Sequence, residues 1–128
     1  MRILIADDHE VVRKGVRSLL ESQDNQSITE ASNGKEAVDM ASEMSPDLVV
    51  LDVTMPIMDG LSAAKQIKKA FPRVPIVILS IHNGPEMLRA TRRAGADAFV
   101  TKSDLGSVLL KAVEAVMQGK TYFSESLG

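Results

Sequence analysis

The order of apolar runs along the chain predicts an α/β fold, a five-stranded parallel sheet doubly wound with helices on both faces. Three observations carry this. Five short apolar runs alternate with five segments of helical period. Four of the runs are apolar throughout, as strands buried on both faces of a parallel sheet must be. The other, Ser27-Ile28-Thr29-Glu30-Ala31, alternates and is more polar, which suits an edge strand with one face in solvent.

The first strand is Ile3-Leu4-Ile5-Ala6, followed by a helix whose Val12, Val16, Leu19 and Leu20 fall on one stripe. After the polar second strand, Asn33 and Glu36 resemble a capping box opening a second helix with Val38, Ala41 and Met44 inward. Leu48-Val49-Val50-Leu51 is the third strand, and Asp59 is a suitable cap for the helix behind it. Ile76-Val77-Ile78-Leu79 is the fourth. Its helix, from about Pro85 to Ala94, carries Arg89, Arg92 and Arg93 in its later turns, Gly95 just past its end, and a thin stripe of Met87, Ala90 and Ala94. Ala98-Phe99-Val100 is the fifth strand, and the last helix has the strongest stripe: Leu105, Val108, Leu109, Ala112, Val113, Val116 and Met117. Crossovers between parallel strands are right-handed in nearly all cases, so few topologies remain. With the polar strand at one edge the order is 2-1-3-4-5, flavodoxin-like, and ligands are expected beyond the carboxyl ends of the strands near the switch point.

Composition narrows the function classes. At 128 residues, 45% hydrophobic, the chain can bury one core but not two. Fifteen basic against 17 acidic residues leave a net charge of -2, which disfavours nucleic-acid binding by this segment. With no cysteine, disulfides, thiolate metal sites and cysteine nucleophiles are excluded, and a reducing compartment fits. No apolar run approaches the roughly 20 residues of a membrane span or a signal peptide's apolar region. A soluble cytoplasmic protein is expected.

The chemistry stands at the strand ends. Asp7-Asp8 close the first strand, Asp52 the third, Ser80 the fourth and Thr101-Lys102 the fifth. Singly, each is an ordinary turn or cap residue. Together, the inferred strand order draws three carboxylates, one ammonium and one hydroxyl to a single rim. Two carboxylates about 4 Å apart repel by roughly 4 kcal/mol at an effective dielectric near 20, more than one lysine can relieve among three. Asp7, Asp8, Asp52 and Lys102 carry a formal charge of -2 between them, which one Mg²⁺ neutralises, and the hard oxygen donors favour Mg²⁺ over zinc or copper. Such a site is equipped for phosphoryl transfer. Asp52, from the middle of the sheet, is the expected nucleophile. Asp8 is expected to ligate the metal directly and Asp7 through water or by orienting its neighbour, with Lys102 and Ser80 on phosphoryl oxygens.

These residues resemble a response-regulator receiver domain over essentially the whole chain: Asp7-Asp8, then Asp52-Val53-Thr54-Met55-Pro56-Ile57-Met58-Asp59-Gly60, then Leu79-Ser80, then Phe99-Val100-Thr101-Lys102. The resemblance implies a phosphoacceptor at Asp52, metal held by Asp8, Asp52 and the backbone carbonyl of Thr54, and a switch pair of Ser80 and Phe99, the hydroxyl turning to the phosphoryl group as the ring moves inward. It implies a sensor histidine kinase as donor and a face of fourth helix, fifth strand and fifth helix that dimerises or binds an output domain. Leu79-Ser80-Ile81-His82, Ala94-Gly95-Ala96 and Gly119-Lys120-Thr121-Tyr122 are similar to the NarL/FixJ branch, whose members usually carry a helix-turn-helix DNA-binding domain after the receiver. Residues 1–118 are therefore read as the receiver and 119–128 as the start of a linker to an output domain absent here, a natural single-domain regulator being the alternative.

Two departures from the family pattern stand out. Ser103 follows Lys102 where many receivers have proline, so a trans bond is expected there, and Ile81 is bulky beside Ser80. His82 reads as a solvated turn residue, the helix-four arginines as solvated or subunit-facing, and Met55 and Met58 as loop packing. The expected protein is a phosphoacceptor switch with intrinsic autophosphorylation and autodephosphorylation rather than a dedicated enzyme. An aspartyl-nucleophile phosphatase would want a carboxylate two residues after Asp52, where Thr54 stands. A flavin module would want a hydroxyl- or glycine-rich phosphate loop where Asp7-Asp8 would repel phosphate.

Overall fold

A computed structural model describes residues 1–23 and 25–123. Strands β1 (Arg2–Ala6), β2 (Ser27–Ala31), β3 (Leu48–Asp52), β4 (Ile76–Ser80), β5 (Ala98–Thr101) and β6 (Tyr122–Phe123) alternate with helices α1 (Glu10–Glu21), α2 (Gly34–Met44), α3 (Gly60–Ala70), α4 (Pro85–Arg93) and α5 (Leu105–Met117); a 3₁₀ turn, Lys102–Asp104, leads into α5. All pairings are parallel, in the order β2-β1-β3-β4-β5-β6. The flavodoxin-like order holds, but the sheet has six strands rather than the expected five.

The sixth lies within the segment read as linker. Tyr122 and Phe123 pair with Ala98 and Phe99, and the Arg92 guanidinium sits 4.0 Å above the Phe123 ring. Two residues carry no readable period, so the pairing is set by the free edge of β5 and by cation–π attraction from α4. The rest of that segment, 124–128, lies outside the described residues.

Side-chain alternation splits the sheet into two faces. Ile3, Ile5, Val50, Val77, Leu79 and Val100 face α1 and α5, where Val16, Leu20, Leu109, Ala112 and Val116 cover them. Leu4, Val49, Leu51, Ile78 and Phe99 face the other side, against Ala37 and Ala41 of α2 and Ala63, Ala64 and Ile67 of α3. Strands β3 and β4 are buried at every residue, whereas β2 is open along most of its length, as an edge must be.

The caps follow the sequence with one change. Asn33 accepts the Glu36 N–H at 2.8 Å, but the Glu36 carboxylate reaches back to the Ser32 N–H at 3.1 Å rather than to that of Asn33. Asp59 caps α3 by accepting from Ser62 N–H at 2.8 Å. Met117 is 41% exposed, so the stripe of α5 ends at Val116. In α4 only Thr91 is fully buried, its hydroxyl bonded to the Met87 carbonyl at 2.8 Å, and Leu88 packs half-buried beside Met87. This helix has the weakest hold on the core. No helix among the described residues is long and apolar enough to cross a membrane, and no described peptide bond is cis, so Lys102–Ser103 is trans.

Candidate phosphoryl-acceptor site

The registers Ala6 to Leu51, Asp52 to Leu79 and Ser80 to Thr101 bring the strand ends level, so the residues that follow share one rim. Asp7 is completely buried and Asp52 is 2% exposed. Lys102 Nζ lies between them, 3.1 Å from Asp7 Oδ2 and 3.0 Å from Asp52 Oδ1. The other Asp7 oxygen accepts the His9 N–H at 2.8 Å. Asp8 is exposed at the mouth. All of the expected acidic residues and Lys102 are thus brought together.

Burial drives the Asp52 carboxyl above its ordinary pKa; Lys102 opposes this, and the charge of Asp7 adds to it. For Lys102, burial works against the ammonium, yet two flanking carboxylates outweigh it and raise its pKa. The shifts differ in kind because the lysine has two partners and Asp52 shares its single cation with a second carboxylate. Asp52 Oδ2 is buried with no hydrogen-bond partner. A buried, partnerless carboxylate oxygen beside two further acids is what a hard cation or an entering phosphoryl group would satisfy. Ligand atoms of Asp7, Asp8, His9 and Asp52 all lie within 4.8 Å of one another. The residues fit Mg²⁺.

His9 is the member that sequence reasoning missed. It is 65% exposed, with Nδ1 3.2 Å from Asp8 Oδ1. Its place straight after Asp7-Asp8 was the available signal, and it sets one imidazole nitrogen beside the expected oxygen donors. Oxygen donors still supply the buried part of the group.

The loop from β3 to α3 closes tightly behind Asp52. Gly60 N–H donates to the Val53 carbonyl at 2.8 Å, and a Cβ on Gly60 would overlap the Asp52 carbonyl. Gly34, opening α2, has its N–H on the Met58 carbonyl at 3.0 Å and likewise no room for a Cβ. Between them Met58 N–H bonds the Pro56 carbonyl at 2.7 Å around Ile57, whose φ is 71°. That is a γ-turn with a β-branched residue at its strained centre. Met55 is buried beside the site, Met58 packs half-buried, and Thr54 is exposed.

Ser80 is 2% exposed, and its hydroxyl oxygen accepts the His82 N–H at 2.9 Å, while the rest of His82 lies in solvent as expected. Phe99 is fully buried: its ring already lies inward, on the same face as Ser80. Thr101, paired with Ser80, has a buried hydroxyl with no partner. Ile81 projects outward at 70% exposure and leaves the rim open.

Residues 3–114 match the family described as the response regulator receiver domain. The transcriptional regulatory protein YdfI of Bacillus subtilis is 39% identical over 119 residues, 92% of this chain and 55% of YdfI. The response regulator protein VraR of Staphylococcus aureus is 37% identical over 125 residues, 96% of this chain and 59% of VraR. The chain therefore spans a little over half the length of these curated relatives. Among solved structures, a LuxR-family two-component response regulator from Aurantimonas superposes with a TM-score of 0.92 at 34% identity, covering 98% of this chain and 91% of its own. A match over most of the chain, relatives above 30% identity and a shared fold together place the chain in the response regulator receiver domain family, among LuxR/NarL-type regulators.

Proposed function

We propose that this chain is a phosphorylation switch in which Asp52 accepts a phosphoryl group from phosphohistidine on a sensor kinase. The observation that carries the reading is the buried, partnerless Asp52 Oδ2, with Lys102 holding the other oxygen at 3.0 Å. Asp52 attacks phosphorus in line, the phosphorus–nitrogen bond breaks, and the departing imidazole keeps the electron pair and is protonated. Lys102 neutralises charge on the transferring group, and the Ser80 hydroxyl, now turned to the His82 N–H, rotates to meet it. Asp8, Asp52 and the Thr54 carbonyl are the groups that would hold Mg²⁺, with Asp7 acting through water and through its contact with Lys102. When bound, Mg²⁺ supplies charge stabilisation on the phosphoryl oxygens.

Ser80 and Phe99 are the proposed switch pair. With the ring already packed inward, Ser80 is the member with a bond to exchange, and α4, whose hold on the core is weakest, is the element whose population the added charge shifts. We propose further that the chain works in the cytoplasm, that it self-associates on phosphorylation, that in a full-length protein it controls a DNA-binding output domain and so transcription, and that it is no dedicated enzyme. The segment itself binds no nucleic acid in this reading.

The test is intact-protein mass spectrometry after incubation with acetyl phosphate and Mg²⁺. Wild type gains one hydroxylamine-labile phosphoryl group and Asp52→Asn gains none; equal labelling of the two would remove the assignment. Sedimentation with and without beryllofluoride reports self-association.

A further inference from the structure

The acidic corner of the site is shaped from outside the pocket. β1 passes to α1 through Asp7, Asp8 and His9, so three consecutive residues carry two of the three carboxylates. Asp7 is held from two sides, Oδ1 accepting the His9 N–H and Oδ2 facing the Lys102 ammonium in an ion pair at 3.1 Å. Asp8 is not: among the described residues its carboxylate has only the exposed His9 imidazole within ion-pair distance, Nδ1 lying 3.2 Å from Oδ1. What fixes Asp8 is the peptide plane it hangs from, and that plane is gripped on its carbonyl side. Arg13 Nη1 donates to the Asp7 carbonyl oxygen at 2.7 Å.

Arg13 is itself held. Its Nε donates to Glu30 Oε1 at 2.6 Å, and it is 17% exposed. Glu30, in β2 level with Ile5, accepts from Arg17 Nη1 on its other oxygen at 2.7 Å, and Arg17 Nε reaches Glu21 at 3.2 Å. Two guanidinium groups and two carboxylates thus form a chain with no net charge. A free arginine beside the pocket would compete with a bound cation, but one neutralised by Glu30 acts by geometry alone. The planar fork suits this task, because one edge meets a carboxylate while the other end donates to a carbonyl.

We propose that Arg13 is a positioning residue for the divalent-cation site: by holding the Asp7–Asp8 peptide plane it sets the direction of the Asp8 carboxylate and hence the affinity for Mg²⁺. The inference rests on the function proposed above. Groups that orient metal ligands from behind typically change metal affinity by about 10- to 100-fold when removed.

The experiment is a calorimetric Mg²⁺ titration of the full chain, with urea unfolding of each variant in parallel. Arg13→Met keeps much of the apolar stem and removes the donors; its Mg²⁺ affinity should fall by about tenfold. Arg17→Met cuts the outer part of the same network but leaves the Asp7 contact; it should lose comparable stability and keep its Mg²⁺ affinity within about twofold, well below the range expected for an orienting group. Arg13→Lys can reach Glu30 or the carbonyl but not both, and should fall between, which also covers failure of Arg13→Met to fold. Wild-type affinity in both Arg13 variants, or an equal loss in Arg17→Met, overturns the proposal. Absence of Mg²⁺ binding by wild type removes the underlying function as well, and is distinguished because the unmutated arm is then the one that fails.

Discussion

Gly60→Ala tests how β3 is joined to the helix behind it. The new methyl group would overlap the carbonyl oxygen and carbon of Asp52 and lie 3.1 Å from the Val53 Cα. Every one of these neighbours is backbone, so no side chain can rotate away, and α3 must retreat from β3. Retreat stretches the Gly60 N–H bond to Val53 and disturbs the Asp59 cap on Ser62. Forced repacking costs about 1–3 kcal/mol, a broken backbone hydrogen bond roughly 1 and a weakened cap up to about 1, so a loss of about 2–5 kcal/mol is expected. For a domain of this size that lowers Tm by roughly 6–20 °C. The assay is thermal and urea unfolding followed by circular dichroism, with Gly15→Ala as comparison. Gly15 lies within α1 with nothing near its missing Cβ, and its replacement should stabilise by about 0.5–1 kcal/mol. A Gly60→Ala protein that melts with wild type would refute the reasoning.

Three further outcomes are expected. Asp52→Asn removes a buried charge that Lys102 only partly compensates, so the metal-free variant should melt above wild type while losing the Mg²⁺-dependent stabilisation of about 1.4 kcal/mol expected at tenfold excess over Kd; a metal-free variant less stable than wild type would contradict this. Hydrogen bonds from Arg13, then Arg17, hold the Glu30 carboxyl below its ordinary pKa, so its contribution is fully present above the unfolded value near 4.5 and drains away as pH falls through the lowered folded value. Urea midpoints measured from pH 6 down to 3 should therefore fall more steeply for wild type than for Glu30→Gln, and parallel curves would discard the network's role. Thr101→Val replaces a buried hydroxyl that has no partner and should stabilise by about 1 kcal/mol in denaturant unfolding; a loss would mean that the hydroxyl is satisfied, for instance by ordered water.

The site was legible because its residues terminate strands. Apolar runs fix where β1, β3, β4 and β5 stop, and the polar residue just past each run must lie on the common rim once the strand order is known. Asp7, Asp8, Asp52, Ser80 and Lys102 were found in this way. What pairs across distance was not legible: Arg13 meets Glu30 seventeen positions away, from helix to edge strand, and no local spacing announces it. His9 was overlooked because its one signal is adjacency to Asp7-Asp8, to which a loop imidazole adds no period or cap. The two-residue β6 is fixed by an open sheet edge and by Arg92, and period-2 reasoning needs a longer run. The expected direction of Phe99, inward on switching, gave no sign that the ring is inward already.

Alternation along the strands puts Asp52 on the side of the sheet facing α1 and α5, and Ser80 and Phe99 on the side facing α3 and α4. The sheet is then a wall with the Asp52 side chain on one side and those of Ser80 and Phe99 on the other. In the switch proposed above the added charge reaches Ser80 over the top of that wall, where the hydroxyl now bonded to the His82 N–H turns to the phosphoryl group, rather than through the densely packed strands. Substitutions there, at Val53 or Ile81, should uncouple receipt from response while leaving each intact, which makes the rim rather than the core the place to break the signal without breaking the protein.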